Sequence, residues 1–218
     1  MTDKNNNGTD GEGRFFITFV VGLSLLAAIG GWLVVATSGL HAKPPGFAPD
    51  RPRTLVSFVL TNQTGRTVTQ TELTGKYLVV DFLLTSCSLT CPVVNRHLAE
   101  IQALTTNQPD VQLVSLTVDP RDDTVPVLAD FGKKYGAEPT RWLMLTGTET
   151  NLYHLIATSF LNQDLNDPFS YMPGNFSHTD RVALVDAHGQ VRFFFDGLND
   201  DVASNVVTAI SGLRKKSL

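Results

Sequence analysis

Apolar residues change their spacing several times along this chain, and each change predicts an element. Residues 15–40 carry no charge, and 15–36 are nearly all apolar. As a helix, such a run of ~20 residues spans the ~30 Å hydrocarbon core of a bilayer. The core helix of a soluble domain would show a polar face, and this stretch shows none. Before it, residues 1–14 are polar and glycine-containing, the composition of a disordered tail. After it, residues 41–53 hold Pro44, Pro45, Pro49 and Pro52, which predicts an extended tether.

From residue 54 onward the runs shorten and alternate. Residues 56–60 read as a strand, Asn62-Gln63-Thr64-Gly65 as a turn and 67–70 as a return strand. Residues 78–84 form a nearly unbroken apolar run, as expected of a strand buried on both faces. A helix opens at Pro92 with Val94, Leu98, Ile101 and Leu104 on one face, ending near Thr106. Residues 111–118 predict a second central strand. Thr124 then caps a helix that ends near Tyr135 and Gly136. A third strand over 141–145 and a third helix over 148–160 follow. Residues 161–180 are long and irregular. Strands over 181–185 and 191–195 flank the turn Asp186-Ala187-His188-Gly189, and 200–215 predict a closing helix. A strand pair, then β-α-β-α-β-α, a hairpin and a helix predict an α/β domain with a central mixed sheet over residues 54–218.

Composition narrows the function classes. The chain has 218 residues, is 42% hydrophobic and 17% charged, and has a net charge of −4. The short Arg214-Lys215-Lys216 end suits a helix C-terminus, and no basic cluster predicts a nucleic-acid partner. Residues 15–40 are read as an uncleaved anchor, because the apolar part of a cleaved signal peptide spans only about 7–15 residues. Lys4 and Arg14 before the segment and Lys43, Arg51 and Arg53 after it leave its orientation undecided by charge.

The only two cysteines stand in Cys87-Ser88-Leu89-Thr90-Cys91-Pro92, between the first central strand and its helix. Pro favours the first helical position, which places Cys91 at the N-cap and Cys87 in the loop before it. The helix N-terminus lowers a thiol pKa toward neutrality, and the thiolate is both the nucleophile and the metal ligand. A structural disulfide is the plainer alternative, but a domain with this apolar core has little need of one. Three intervening residues depart from the two of thioredoxin-type redox centres. Two thiolates suit Cu(I), and a third ligand would improve the site. Two cysteines and a histidine with an open position would also suit zinc. Of the five histidines, His41 is in the tether, His97 and His154 lie on helices, and His188 is in the hairpin turn. His178 closes the irregular stretch just before the hairpin, where a thioredoxin-like fold faces the cysteine loop. On its own, a loop histidine is more often solvated than ligating.

Several segments resemble one family. Phe82-x-x-Thr85-x-Cys87-x-x-x-Cys91-Pro92 resembles the signature of the Sco (SenC/PrrC) family of membrane-anchored, thioredoxin-like copper proteins. Val114-Ser115-Leu116-Thr117-Val118-Asp119-Pro120, with Asp123-Thr124 and Leu128, is similar to its second strand and Asp-Pro-x-x-Asp-Thr loop. Trp142-Leu143-Met144-Leu145-Thr146-Gly147 resembles the third strand, and Ser177-His178-Thr179 the segment that carries its histidine ligand. Where the family often has proline after the first cysteine, this chain has Ser88-Leu89-Thr90, and Arg121 stands one place early.

The resemblance implies a copper metallochaperone for assembly of the copper A centre of cytochrome c oxidase. Cys87, Cys91 and His178 are then the ligands of one copper, as Cu(I) or Cu(II), and Asp119 is a nearby acidic group for partner docking or support of a ligand. The implied partners are the oxidase subunit with the copper A site, a copper donor protein and the membrane. The domain is expected outside the cytoplasm, on the periplasmic side. The rival is a thiol-disulfide oxidoreductase in which Cys87 and Cys91 act on client cysteines. A peroxidase of the peroxiredoxin kind fits less well, since the Pro-x-x-x-Thr-x-x-Cys pattern typical of it does not precede Cys87.

Overall fold

The apolar run at the centre of the sequence becomes the centre of a seven-stranded sheet in the order β2-β1-β5-β4-β3-β6-β7. The computed structural model describes residues 46–50, 52–160 and 180–216. Its strands are β1 (Val59–Asn62), β2 (Thr67–Thr69), β3 (Tyr77–Leu83), β4 (Val111–Thr117), β5 (Trp142–Thr146), β6 (Arg181–Val185) and β7 (Val191–Asp196). The helices are α1 (Gln70–Leu73), α2 (Cys91–Leu104), α3 (Val125–Lys134), α4 (Glu149–Ser159) and α5 (Val202–Lys216). Strands β3, β4 and β5 are parallel, joined by α2 and α3; β1 runs antiparallel to β5, and β6 antiparallel to both β3 and β7. This is the mixed α/β sheet that the element order predicts.

Alternation along the parallel strands feeds two cores. Tyr77, Val79 and Leu83 of β3 pack with Val94, Leu98 and Ile101 of α2, Leu128 of α3, and Val206 and Ile210 of α5. Leu78 and Val80 point the other way, into a core closed by Leu152, Leu155 and Ile156 of α4. Both faces of β3 and β4 are therefore covered, which is why their sequences lack a polar alternation. The parallel crossovers also bring the loops after β3, β4 and β5, and the N-termini of α2, α3 and α4, to one end of the sheet.

Several boundaries differ from those expected. The strand expected over 56–60 begins at Val59, because Val56 N–H donates to Ser159 Oγ (3.1 Å) and Leu55 N–H to Gly189 O (2.8 Å) in the β6–β7 turn, away from β2. The return strand stops at Thr69, which opens the four-residue α1 through a capping box with Glu72. Arg214 is not a freely solvated cation: it grips Asp110 with Nη2–Oδ1 at 2.7 Å and Nε–Oδ2 at 3.0 Å. The stretch expected as a tether is described from Gly46 onward, and there it follows β7: Phe47 bridges Phe194, and Thr54 bridges Gln190.

One side chain repairs the sheet where β1 is short. Gln63 is buried just past the end of β1. Its Nε2 donates to Trp142 O (2.7 Å), and its Oε1 accepts from Met144 N–H (2.9 Å). The carboxamide thus takes the two backbone groups of β5 that β1 does not reach.

The proposed anchor at 15–40 and residues 161–179 lie outside the described residues. Among the described residues no helix is long and apolar enough to cross a membrane.

Candidate metal centre

At the C-terminal end of β3 the chain leaves the sheet through Leu84 and Thr85 and turns back at Cys87, whose N–H donates to Leu84 O (3.2 Å). α2 then starts at Cys91, one residue earlier than a proline at the first helical position implies. Thr90 is the N-cap and Pro92 the second helical residue. Thr90 has helical angles (φ −90°, ψ −37°), so the last loop residue is already wound and Pro92 falls where its missing N–H costs nothing.

This local winding sets the electrostatics of the pair. Both cysteines are free and half-buried. Burial opposes ionisation of Cys87, but the N–H of Cys91, the Cys91 thiol and the N–H groups of Leu89 and Thr90 outweigh it and draw the thiol down to about 6. The Cys91 N–H is an unpaired donor of the first helical turn, and those of Leu89 and Thr90 come from the wound loop just before it; together they favour an anion. Cys91 moves the other way, pushed up to about 12 by burial, by its hydrogen bond to the Cys87 sulfur and that sulfur's charge, and more weakly by Asp81. At neutral pH the pair is therefore one thiolate beside one thiol. A soft cation entering here meets one ready sulfur ligand and a second that must release its proton.

Two groups that sequence reasoning left unassigned hold this loop. Asp123, in the β4–α3 loop, is 1% exposed. It accepts from Thr117 Oγ1 (2.5 Å), from Thr85 Oγ1, and at longer range from Thr85 N–H (3.4 Å). The residue two before Cys87 is thereby tied to the end of the neighbouring strand. Asn95 lies one turn beyond Cys91, and its Nδ2 donates to Cys91 O (2.8 Å). In sequence, Asp123 reads as a loop residue before a helix cap; only the Thr85 and Thr117 hydroxyls that flank it in space show its use.

Beneath the site runs a buried polar chain: Trp142 Nε1–H donates to Ser115 Oγ (2.8 Å), and Ser115 Oγ–H to Asp81 Oδ1 (2.5 Å). Asp81 lies opposite Ser115 in the β3–β4 register, on the face toward α2. Burial raises its carboxyl to about 7, against the pull of the Ser115 hydroxyl.

The other sequence candidates are placed unevenly. Asp119 is half-buried at the end of β4; its N–H donates to Thr117 Oγ1 (3.0 Å) and its carbonyl accepts from Asp123 N–H (2.8 Å). His178 lies outside the described residues, and among those described no group of three histidine, cysteine or acidic side chains could hold a metal. His154 and His188 are exposed, while His97 is half-buried, with Nδ1 2.9 Å from Gly197 O.

A family model, SCO1/SenC, matches residues 48–212, most of the chain. The chain belongs to the SCO1/SenC family. Among its Sco relatives, the SCO1 protein homolog of Bacillus subtilis (strain 168) is 27% identical over 157 residues, covering 70% of this chain and 80% of that one. The structure of a SCO1/SenC family lipoprotein from Bacillus anthracis str. Ames superposes with a TM-score of 0.64 at 27% identity, covering 77% of this chain and 99% of its own. Arabidopsis thaliana ScoI, solved with copper bound, superposes with a TM-score of 0.56 at 25% identity, covering 73% and 98%. The thioredoxin-like Sco fold is thus shared by this chain and by a relative that carries copper.

Proposed function

We propose that this chain is a membrane-anchored copper carrier that holds one copper through the sulfurs of Cys87 and Cys91 and the imidazole of His178. The observation that carries this reading is the cysteine pair, part-exposed at a helix start, with Cys87 drawn down to about 6. Two sulfurs suit Cu(I), and an added imidazole also suits Cu(II). Copper loading expels the Cys91 proton, and the same N–H donors that favour the Cys87 thiolate stabilise the sulfur charge of the loaded site. The copper-bound ScoI relative supports this choice of metal. Residues 15–40 anchor the chain with its domain outside the cytoplasm, and the lipoprotein relative supports attachment to a membrane. Asp119, at the end of β4, offers its carboxylate to an incoming partner. That partner is the cytochrome c oxidase subunit with the copper A site, and a copper donor protein stands upstream.

The test is copper titration of the reduced chain. One copper per chain is expected, lost in Cys87→Ser and Cys91→Ser and weakened in His178→Ala. Unchanged stoichiometry and affinity in all three variants would sink the reading. Oxidation to the Cys87–Cys91 disulfide removes both sulfur ligands, so the oxidised chain should bind no copper tightly.

The unequal thiols favour a second reading beside the first. The Cys87 thiolate attacks one sulfur of a client disulfide and releases the other as a thiolate. Cys91 then loses its proton and attacks the Cys87 sulfur, freeing a reduced client and leaving the Cys87–Cys91 disulfide. Two electrons pass to the client, and a reduced dithiol protein must return them. Retained reductase activity in His178→Ala separates this role from copper carriage.

A further inference from the structure

The pairing between β3 and β4 ends where Val118 N–H donates to Leu83 O (2.9 Å). Beyond that bond a side chain joins the two strands. The Thr85 hydroxyl, just after β3, and the Thr117 hydroxyl, at the end of β4, both donate to the Asp123 carboxylate. The Thr85 N–H points at the same carboxylate, 3.4 Å from Oδ2. That N–H and the carbonyl of Leu84 belong to one planar peptide group, so turning one turns the other. The Leu84 carbonyl accepts the N–H of Cys87 (3.2 Å), and the Leu84 N–H favours a charge on the Cys91 sulfur. One short stretch of backbone, Leu84-Thr85, therefore bears on both cysteines, and Asp123 holds it.

Asp123 is itself braced. It is 1% exposed, its N–H donates to Asp119 O (2.8 Å), and it stands two residues before α3 opens at Val125. The strut thus runs from a strand end and a helix start to the cysteine turn, with water kept from its hydrogen bonds. Cutting it at Thr85 frees the Leu84–Thr85 peptide to rotate, and with it the carbonyl that holds Cys87. Cys91 does not follow, because α2 fixes its backbone. We propose that Asp123, acting through Thr85, is a positioning residue that sets the spacing of the Cys87 and Cys91 sulfurs for both copper capture and disulfide formation. This rests on the reading of the two cysteines as a working pair. Asp123 acts through the turn and not on a sulfur.

The experiment places the metal-free full chain in glutathione redox buffers. There glutathione disulfide takes two electrons from the pair, and the Cys87–Cys91 disulfide forms with release of two glutathione thiols. Mass spectrometry after alkylation reads the dithiol–disulfide equilibrium, and competition with a chelator reads Cu(I) affinity. The chain is compared with its Thr85→Val, Thr85→Ser, Asp123→Asn and Cys87→Ser variants. Thr85→Val keeps the size and branching of the side chain and removes the hydroxyl. It should weaken Cu(I) binding ~10–100-fold, the range for groups that orient a metal ligand. It should also make the disulfide ~10-fold less favoured, since the two sulfurs meet less often. Asp123→Asn should move both readings in the same direction, and Thr85→Ser, which keeps the hydroxyl, should hold both at wild type. Thr85→Val carries the decision if Asp123→Asn does not fold. Wild-type equilibrium and affinity in a Thr85→Val chain that merely unfolds at lower urea would show a brace for stability alone and overturn the proposal. So would a Thr85→Ser chain as impaired as Thr85→Val. Undiminished Cu(I) binding in Cys87→Ser would overturn the copper reading, and the disulfide equilibrium of Thr85→Val would still decide the strut.

Discussion

Replacing Asp81 by asparagine should stabilise this domain at alkaline pH and not at acid pH. The carboxyl is 2% exposed, and burial raises it from 3.8 to about 7. The folded state therefore holds a proton that the unfolded chain releases earlier. Below about pH 4 both states are protonated and the group is neutral in its effect. As pH rises toward 7, stability falls by about 1.4 kcal/mol per pH unit, and above 7 the loss is complete. The interval from 3.8 to about 7 amounts to about 4 kcal/mol. This is opposite in sign to a carboxylate held by a salt bridge. Asparagine keeps an oxygen for the Ser115 hydroxyl and cannot ionise. Its buried NH2 group costs about 1–3 kcal/mol if unpaired. Asp81→Asn should thus be about 1–3 kcal/mol more stable than the wild type at pH 8, and equal or less stable at pH 4. Urea unfolding followed by circular dichroism at both pH values measures this. A stability difference that does not change with pH would refute the reasoning, because nothing else about Asp81→Asn titrates in that window.

Further outcomes follow from the same geometry. Cys87 in the wild-type chain should react with iodoacetamide half-maximally near pH 6, where its thiol is drawn, rather than near its ordinary 9.0; mass spectrometry of the modified site reads this, and half-maximal reaction near 9 would refute it. Asp123→Ala should cost ~1–3 kcal/mol in urea unfolding, because it leaves the Thr85 and Thr117 hydroxyls without their buried acceptor; a loss under about 0.5 kcal/mol would show that Thr85 and Thr117 find other partners. Leu98→Ala, at a side chain 0% exposed between α2 and the sheet, should cost ~2–5 kcal/mol and lower the unfolding midpoint without changing the slope.

The element order was legible because burial and spacing agree: an apolar run such as Leu78-Val79-Val80 has no polar face to place, so it must be central. What the pattern could not separate was burial from pairing. Leu55 and Phe58 are as apolar as strand residues, yet they pack against the core while Val56 bonds to a helix side chain. The cysteine pair was legible as chemistry because a proline marks the helix start. The one-residue difference at Cys91 arises because Thr90 is already helical. The inequality of the two thiols was not legible, since it depends on which sulfur faces the free N–H groups and which is buried. Asp81 inside an apolar run gives no sign in sequence of its protonation, which Ser115 on a different strand and the surrounding burial decide together. Gly197 looks like an ordinary turn residue until Asp180 and Val94 are found against it.

The carboxamide of Gln63 has a consequence for the chain's behaviour in crowded surroundings. A strand that stops early leaves its neighbour with an unpaired donor and acceptor, the template on which a second molecule adds a strand of its own. At Trp142 and Met144 that template is filled by an amide of the same shape and polarity as a peptide group. The plug occupies the gap from within the chain, so association through this stretch of sheet must first break two buried hydrogen bonds. Gln63→Leu keeps the bulk but removes both bonds, and it should make the chain aggregate in concentrated solution before it unfolds the domain.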